Sequence, residues 1–171
     1  MKFDYKQARP FKVTIPTRDE WIKNNFDRKR KKGAIYFYTH GSKIEEKLGF
    51  GVFSFDSFCT SNKMEDETTI FQAGMHALIF CARNIVSEGF RNKKIYIFSD
   101  SQAELKSLLN PKAISRTIAD CIFYVSEASV NNDVNLNWIP EHEGLLGNEK
   151  ADELAKKGAT LNKNHTEVVK G

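Results

Sequence analysis

Residues 94–102, with the sequence KIYIFSDSQ, predict a short apolar strand that leads directly into a helix. The strand covers residues 94–99, and its Ile, Tyr and Phe side chains suit burial on both faces of a sheet. The helix is predicted from Ser101 to about Leu109, because Pro111 prevents its continuation. A strand followed at once by a helix is typical of α/β folds, so further strands of the same sheet are expected on either side.

Three strands are predicted upstream of this unit. They cover residues 34–39, 48–55 and 58–63, which are rich in aromatic and β-branched side chains. Gly49 and Gly51 lie inside the second of them, where glycine marks a bulge or a close approach of another backbone. The short connections between the three strands favour antiparallel pairing.

A long helix is predicted to follow these strands. Thr68 or Thr69 is a suitable N-cap, and Gly89 is the expected end of the helix. The apolar side chains between these positions recur at spacings of three and four, which indicates one buried helix face. They are Phe71, Met75, Leu78, Ile79, Ala82, Ile85 and Val86.

The downstream part of the chain completes the predicted fold. A third helix is expected at residues 115–128, a last strand at 135–139, and a last helix at 148–157 that ends at Gly158. The element order is β-β-β-α-β-α-α-β-α. This order predicts an α/β fold with a mixed five-stranded sheet and helices on both faces.

The chain of 171 residues has the length of one domain. We predict an N-terminal arm at residues 1–32, a folded domain at 33–159 and a flexible tail at 160–171. Within the arm, a short helix is expected at residues 17–24. Its first residue is a threonine suited to the N-cap, with Glu20 three positions later.

Positive charge is concentrated in the arm. Residues 1–32 hold 11 Lys and Arg against 4 Asp and Glu, whereas residues 33–171 hold 15 against 18. The basic run that includes Arg28, Lys29 and Arg30 is a candidate for phosphate contacts, and a solvated linker is the alternative. The negative balance of the folded part does not favour strong binding of nucleic acid.

Composition excludes several classes of protein. Apolar residues make up 40% and charged residues 28%, as in an ordinary globular domain. The three cysteines do not form the pattern of a secreted disulfide scaffold. No apolar run approaches the roughly 18–20 residues of a membrane span, and the N-terminus has no signal-peptide pattern. We therefore expect an intracellular protein, nuclear or cytoplasmic and not secreted, with no membrane partner.

Polar side chains stand at the ends of three predicted strands, where functional groups gather in open α/β sheets. The first strand ends in YTHGS, residues 38–42, and the fourth in FSDSQ, residues 98–102. The last strand is followed by WIPEHEGLLGNEKAD, in which Trp is residue 138 and the final Asp is residue 152. We expect these segments to meet at one edge of the sheet.

These segments, together with FQA at residues 71–73, resemble the ribonuclease H family in the form carried by retrotransposon reverse transcriptases. The resemblance covers residues 34–158, with the motifs in the family's order and spacing. It implies a ribonuclease H-like fold and cleavage of the RNA strand of RNA/DNA hybrids. It also implies four carboxylates around two divalent cations, Mg or Mn, which require hard oxygen ligands.

Only two of the four carboxylates that the resemblance implies are present. Asp100 and Asp152 match the family's metal ligands, and His142 matches its mobile-loop histidine, so these three are the catalytic candidates. His40 stands where the family has the aspartate that bridges both metals, and Gly74 where it has a glutamate. Imidazole favours zinc, copper or iron over magnesium, and fewer negative charges attract two dications less strongly. The resemblance therefore implies a catalytically degenerate domain that does not bind Mg or Mn stably.

Gly74 has no explanation in the neighbouring sequence, although a glycine inside a helix costs about 1 kcal/mol relative to alanine. Rescue of the metal site by a nearby carboxylate is not expected. Glu104, about one helical turn beyond Asp100, is the one candidate. Asp100 also has a second interpretation, as the N-cap of the helix predicted from Ser101.

Four polar residues match family positions near the backbone of the bound hybrid, where neutral donors suit phosphates and 2′-hydroxyls. Turn and cap chemistry explains them equally well. They are Ser42, Gln72, Ser101 and Asn148.

Three functional hypotheses follow from the sequence. The first is a degenerate ribonuclease H domain of retrotransposon origin that acts as a nucleic-acid- or protein-binding module. The second is an active metal-dependent ribonuclease on RNA/DNA hybrids with an unusual metal site. The third is a protein-binding scaffold with no role in nucleic-acid binding, which the negative charge of the folded part favours.

Overall fold

The computed structural model describes residues 9–24, 31–65, 68–109, 114–141, 144–162 and 166–170. These residues form seven strands and five helices. The elements in chain order are β1 (Lys12–Thr14), α1 (Arg18–Asn24), β2 (Ile35–Ile44), β3 (Lys47–Phe53), β4 (Phe58–Lys63), α2 (Ile70–Ser87), β5 (Lys94–Ser99), α3 (Gln102–Leu109), α4 (Arg116–Ser129), β6 (Asp133–Trp138), α5 (Leu146–Thr160) and β7 (Thr166–Lys170).

All seven strands belong to one mixed sheet with the order β1-β6-β5-β2-β3-β4-β7. The half that contains β2, β5, β6 and β1 is parallel. The half that contains β2, β3, β4 and β7 is antiparallel. The predicted α/β fold with a mixed sheet is therefore confirmed, and the predicted count of five strands is wrong.

The two additional strands lie at the edges of the sheet. β1 pairs with β6, with Val13 opposite Leu136, and β7 pairs with β4, with Val168 opposite Thr60. Both come from segments that we predicted as the arm and the tail. Strands this short carry too little hydrophobic periodicity to be recognised in the sequence. Their conformation depends on pairing with the neighbouring strand. The domain boundaries at residues 32 and 159 stay predictions.

The short helix predicted in the arm is confirmed as α1. Thr17 Oγ1 accepts a hydrogen bond from the Glu20 backbone N–H at 3.1 Å, and Glu20 Oε2 accepts one from the Thr17 N–H at 3.3 Å. This reciprocal pair is a capping box. The helix buries Trp21 against Tyr36 and its neighbours on the sheet, so the described part of the arm packs onto the domain.

Helices cover both faces of the sheet. Phe37 of β2 points to the core shared with α2 and α4, whereas Tyr36 and Tyr38 point to the opposite core shared with α1 and α5. This alternation follows from the two-residue period of a strand. Cys81 and Cys121 are buried as free thiols in the first of these cores. In the part of the chain that the structure describes, no helix combines the length and apolarity that a membrane span requires.

Helix α5 lies unusually close to β3. A Cβ on Gly49 would lie 2.6 Å from the Ala155 carbonyl oxygen, and one on Gly51 would lie 2.6 Å from the Ala155 amide nitrogen. Both glycines are therefore sites of close backbone approach, as predicted. Gly158, which we predicted to end the helix, lies inside α5, where it packs against the backbone of Asn62.

The first predicted strand is longer than its sequence suggests. We expected it to end near Thr39, but β2 continues to Ile44 because its pairing with β3 continues, with His40 opposite Gly51 and Ser42 opposite Gly49. Residues 40–42 are therefore held in the sheet and not in a turn. This gives the side chain at position 40 a rigid support.

Truncation of Phe11 tests the packing of the N-terminal segment. Phe11 is 3% exposed and belongs to the main core, so we expect Phe11→Ala to lower the free energy of unfolding by about 3–5 kcal/mol. Ile22→Ala, on the 55% exposed side of α1, is the control and should change it by less than about 0.5 kcal/mol. Urea unfolding gives both values. Equal small effects would show that the segment does not pack on the domain.

Candidate functional site

Three elements bring His40, Asp100 and Asp152 together. β2 and β5 are parallel neighbours with Thr39 opposite Ser99, so the next residues, His40 and Asp100, emerge side by side. The close packing of α5 on β3 brings Asp152 to the same place from the other side of His40. The predicted meeting of these residues at one edge of the sheet is therefore confirmed.

The imidazole ring of His40 lies between the two carboxylates. Its Nδ1 atom is 3.2 Å from Asp100 Oδ2, and its Nε2 atom is 3.0 Å from Asp152 Oδ1. The side chains of His40 and Asp100 are only 14% and 10% exposed, so water screens this contact weakly. Each ring nitrogen thus faces one carboxylate.

The environment of His40 favours the charged form of the ring. Burial by itself lowers the pKa of His40, but the contact with Asp100 and the charges of Asp100, Asp152 and Glu104 outweigh it, so the pKa is raised above 6.5. An imidazolium donates from both ring nitrogens. The two carboxylates therefore favour the imidazolium form of the ring that lies between them.

Lys156 provides a second cation at Asp152. Its Nζ atom is 2.9 Å from Asp152 Oδ2, one helical turn along α5. The two oxygens of Asp152 therefore face two different nitrogens, Nε2 of His40 and Nζ of Lys156. Because the lysine is largely exposed, its contribution to stability is small.

Glu104 is a further acidic residue close to His40 and Asp100. Its side chain is 7% exposed, and Ser99 Oγ donates a hydrogen bond to its Oε1 atom at 3.3 Å. Burial, with a further effect from the charge of Asp100, raises the pKa of Glu104 to about 7, despite opposing effects from Ser101, Ser99 and His40. Its position one turn after Asp100 was the available signal.

The Glu104 carboxylate lies directly against Gly74 of α2. A Cβ placed on Gly74 would overlap Oε2 of Glu104 and lie 2.5 Å from its Cδ and 2.8 Å from its Oε1. Position 74 therefore has to be a glycine while Glu104 occupies this place. The sequence offered no reason for the glycine, because the residue that requires it comes from another helix.

The model of the RNase H (ribonuclease H) family matches residues 32–160 of this chain. The chain belongs to the ribonuclease H family. Its structure is similar to that of RNase H1 from the halophilic archaeon Halobacterium salinarum NRC-1, with a TM-score of 0.55 and 21% sequence identity. The similarity covers 74% of this chain and 97% of the archaeal chain, and at this identity it shows the fold alone. No curated protein is significantly similar to this chain.

The residues of this ribonuclease H domain do not fit the pair of Mg or Mn ions that the family usually uses. The imidazole of His40 fills the gap between Asp100 and Asp152, and three of the four carboxylate oxygens face nitrogen atoms. Hard dications need such oxygens as ligands. Among the described residues, no three His, Cys, Asp or Glu side chains are arranged to hold a metal ion.

A cavity of about 270 Å³ opens beside the His40 ring. Asn148 of α5 lines it, is 7% exposed, and has an Oδ1 atom without a hydrogen-bond partner among the described residues. Ser42, the other predicted nucleic-acid contact on this side of the domain, is also 7% exposed. The structure thus buries both side chains.

Two further predicted nucleic-acid contacts, Gln72 and Ser101, take part in helix capping. Thr69 and Gln72 form the capping box of α2, in which Gln72 Oε1 accepts a hydrogen bond from the Thr69 N–H at 3.0 Å. Ser101 Oγ accepts one from the Glu104 N–H at 3.2 Å, so Ser101 caps α3 and the alternative assignment of this role to Asp100 is wrong. Cap chemistry therefore accounts for Gln72 and Ser101.

Four predicted site residues lie outside the described residues. They are His142, the candidate loop histidine, and the basic residues Arg28, Lys29 and Arg30. Their proposed roles rest on the sequence.

The raised pKa of Glu104 predicts a pH-dependent difference between the wild type and Glu104→Gln. The folded protein holds the carboxyl proton more tightly than the unfolded chain, whose pKa is near 4.5. Ionisation therefore costs folding free energy as the pH rises from 4.5 to about 7, up to about 3 kcal/mol. Urea unfolding across this window should show the wild type losing stability relative to the variant.

Exposed Glu149→Gln, which removes the same charge from the rim of the cavity, is the control for this comparison. Its stability should stay parallel to that of the wild type over the same pH range. A Glu104→Gln curve that is also parallel would show that the Glu104 carboxyl titrates normally.

Proposed function

We propose that this ribonuclease H domain is catalytically degenerate and binds RNA/DNA hybrids without cutting them. The observation that carries the proposal is the His40 ring, which lies 3.2 Å from Asp100 and 3.0 Å from Asp152. Two-metal hydrolysis of a phosphodiester needs both cations beside the scissile phosphate. In this domain a side chain stands between the carboxylates that would have to bind them.

Electrostatics supports the same conclusion. A dication entering the site would meet the positive charge of His40 and the nearby ammonium of Lys156 before it reached Asp152. At contact distance in a poorly screened site, like charges repel each other by several kcal/mol. The site is therefore stable as an ion-paired cluster and unsuited to collecting two further cations.

Two observations support the proposal that the domain binds a hybrid. Members of the ribonuclease H family bind RNA/DNA hybrids. Here Asn148 lines the cavity beside His40. A side-chain amide at this position can contact a 2′-hydroxyl. The basic run that includes Arg28, Lys29 and Arg30 adds charge for phosphate contacts.

The motifs that resemble retrotransposon reverse transcriptases support a retrotransposon origin for the domain. An intracellular location, nuclear or cytoplasmic, agrees with binding of hybrids. A protein partner is the alternative for the module, favoured by the negative balance of residues 33–171.

A cleavage assay on a labelled RNA/DNA hybrid tests the loss of catalysis. The wild type should leave the RNA strand intact in Mg²⁺ and in Mn²⁺, because the His40 ring occupies the space between the metal-binding carboxylates. A ribonuclease H of established activity, acting on the same hybrid, shows that the assay works. Turnover by the wild type that disappears in Asp100→Asn would contradict the proposal.

Fluorescence anisotropy with the same hybrid tests binding. The wild type should bind, and the logarithm of its binding constant should fall linearly with the logarithm of salt concentration. Asn148→Ala should weaken binding about fivefold, as expected for the loss of about 1 kcal/mol. Exposed Asn131→Ala is the control. Asn131 lies just before β6, at the opposite end of the parallel strands from His40. Absence of salt-dependent binding would contradict the proposal and favour a protein partner.

A further inference from the structure

We propose that Glu104 is the third carboxylate of the His40 site and that Gly74 is the residue that admits it. Positions 74 and 104 then form a matched pair, in which an acidic group comes from α3 and α2 leaves the space for it. The inference concerns the site of the proposed function and deepens it. Its tests measure thermal unfolding and cation binding, so it can fail while the loss of cleavage stands.

The space that a side chain at position 74 would occupy is filled by Glu104. All three of the atoms closest to a Cβ at position 74 belong to the end of the Glu104 side chain: Oε2, Cδ and Oε1. Any side chain on residue 74 would therefore displace the carboxylate. Gly74 lies in the interior of an 18-residue helix, where glycine is unfavourable unless another element needs the space.

Glu104 is held in this place by two serines. The backbone N–H of Glu104 donates to Ser101 Oγ at 3.2 Å, which sets the first turn of α3. Ser99 Oγ, at the end of β5, then donates to the carboxylate itself at 3.3 Å. A buried carboxylate needs such partners, because an unpaired buried charge is costly. The side chain is thus built into the site.

The carboxylate of Asp100 depends on His40 for its positive partner. Its side chain is nine-tenths buried, and its Oδ2 atom accepts no hydrogen bond from the described residues. The nearest positive group to Oδ2 is Nδ1 of His40, at 3.2 Å. Removal of the imidazole would leave Asp100, Glu104 and Asp152 facing a space without a cation, and a divalent ion supplies the charge that they then lack.

This arrangement changes what is needed to make the site bind metal. His40→Asp by itself should be sufficient, because the missing carboxylate on α2 is already replaced from α3. Adding Gly74→Glu should not strengthen metal binding while Glu104 is present, because the two side chains compete for one space.

A double-mutant cycle tests the pairing. Gly74→Ala should lower the unfolding temperature of the wild type, because the added Cβ displaces a buried carboxylate. In the Glu104→Ala background the same substitution should cause no loss, since the space is vacant and alanine is the better helix former. Equal losses in the two backgrounds would overturn the pairing.

Titration with Mn²⁺, followed by electron paramagnetic resonance of the free ion, tests the third carboxylate. His40→Asp should bind Mn²⁺ more tightly than the wild type, and a further Glu104→Gln should weaken that binding by about tenfold or more. Glu149→Gln in the same background removes an equal charge at the rim of the cavity and should have little effect on Mn²⁺ affinity. His40→Ala provides a second background should His40→Asp fail to fold.

Each outcome decides between the alternatives. Mn²⁺ binding that depends on Glu104 and not on Glu149 supports the proposal, whether or not any variant cleaves a hybrid. Mn²⁺ binding that Glu104→Gln leaves unchanged, or that requires Gly74→Glu, overturns the proposal. Failure of His40→Asp and His40→Ala to bind Mn²⁺, with both variants folded, also overturns it.

Discussion

The close approach of helix α5 to strand β3 is the constraint on which the site depends. Gly49 and Gly51 have no side chains to separate the two elements, so the backbone of α5 rests on the strand near Ala155. This contact fixes the distance of α5 from the sheet and its rotation, and it places Asp152 Oδ1 3.0 Å from Nε2 of His40. A side chain at either glycine would move the helix and separate the carboxylate from the imidazole.

Charge balance determines what this geometry can do. His40 stands between Asp100 and Asp152, Lys156 holds the outer oxygen of Asp152, and Glu104 lies buried behind them. Side chains of the protein itself thus neutralise most of the acidic charge at the end of β5. In this domain Asp100 and Asp152 face an imidazole of the protein itself.

Prediction from the sequence succeeded where local signals are strong and failed where partners act at a distance. The strand Lys94–Ser99, the cap at Thr17 and a cap at Thr68 or Thr69, which is Thr69 in the structure, were predicted because each lies next to its own signal. The edge strands β1 and β7 were missed, since pairing with β6 and β4 imposes their conformation. The extension of β2 to Ile44 was missed for the same reason.

The sequence by itself determined the fold family and the identities of the residues at the ends of the strands, because motif order and spacing are properties of the chain. The resemblance also predicted that His40 and Gly74 depart from the family pattern. Only the tertiary structure decided what these departures mean. The position of the His40 ring between two carboxylates and the contact of Glu104 with Gly74 join residues from separate elements, and such distances follow from packing.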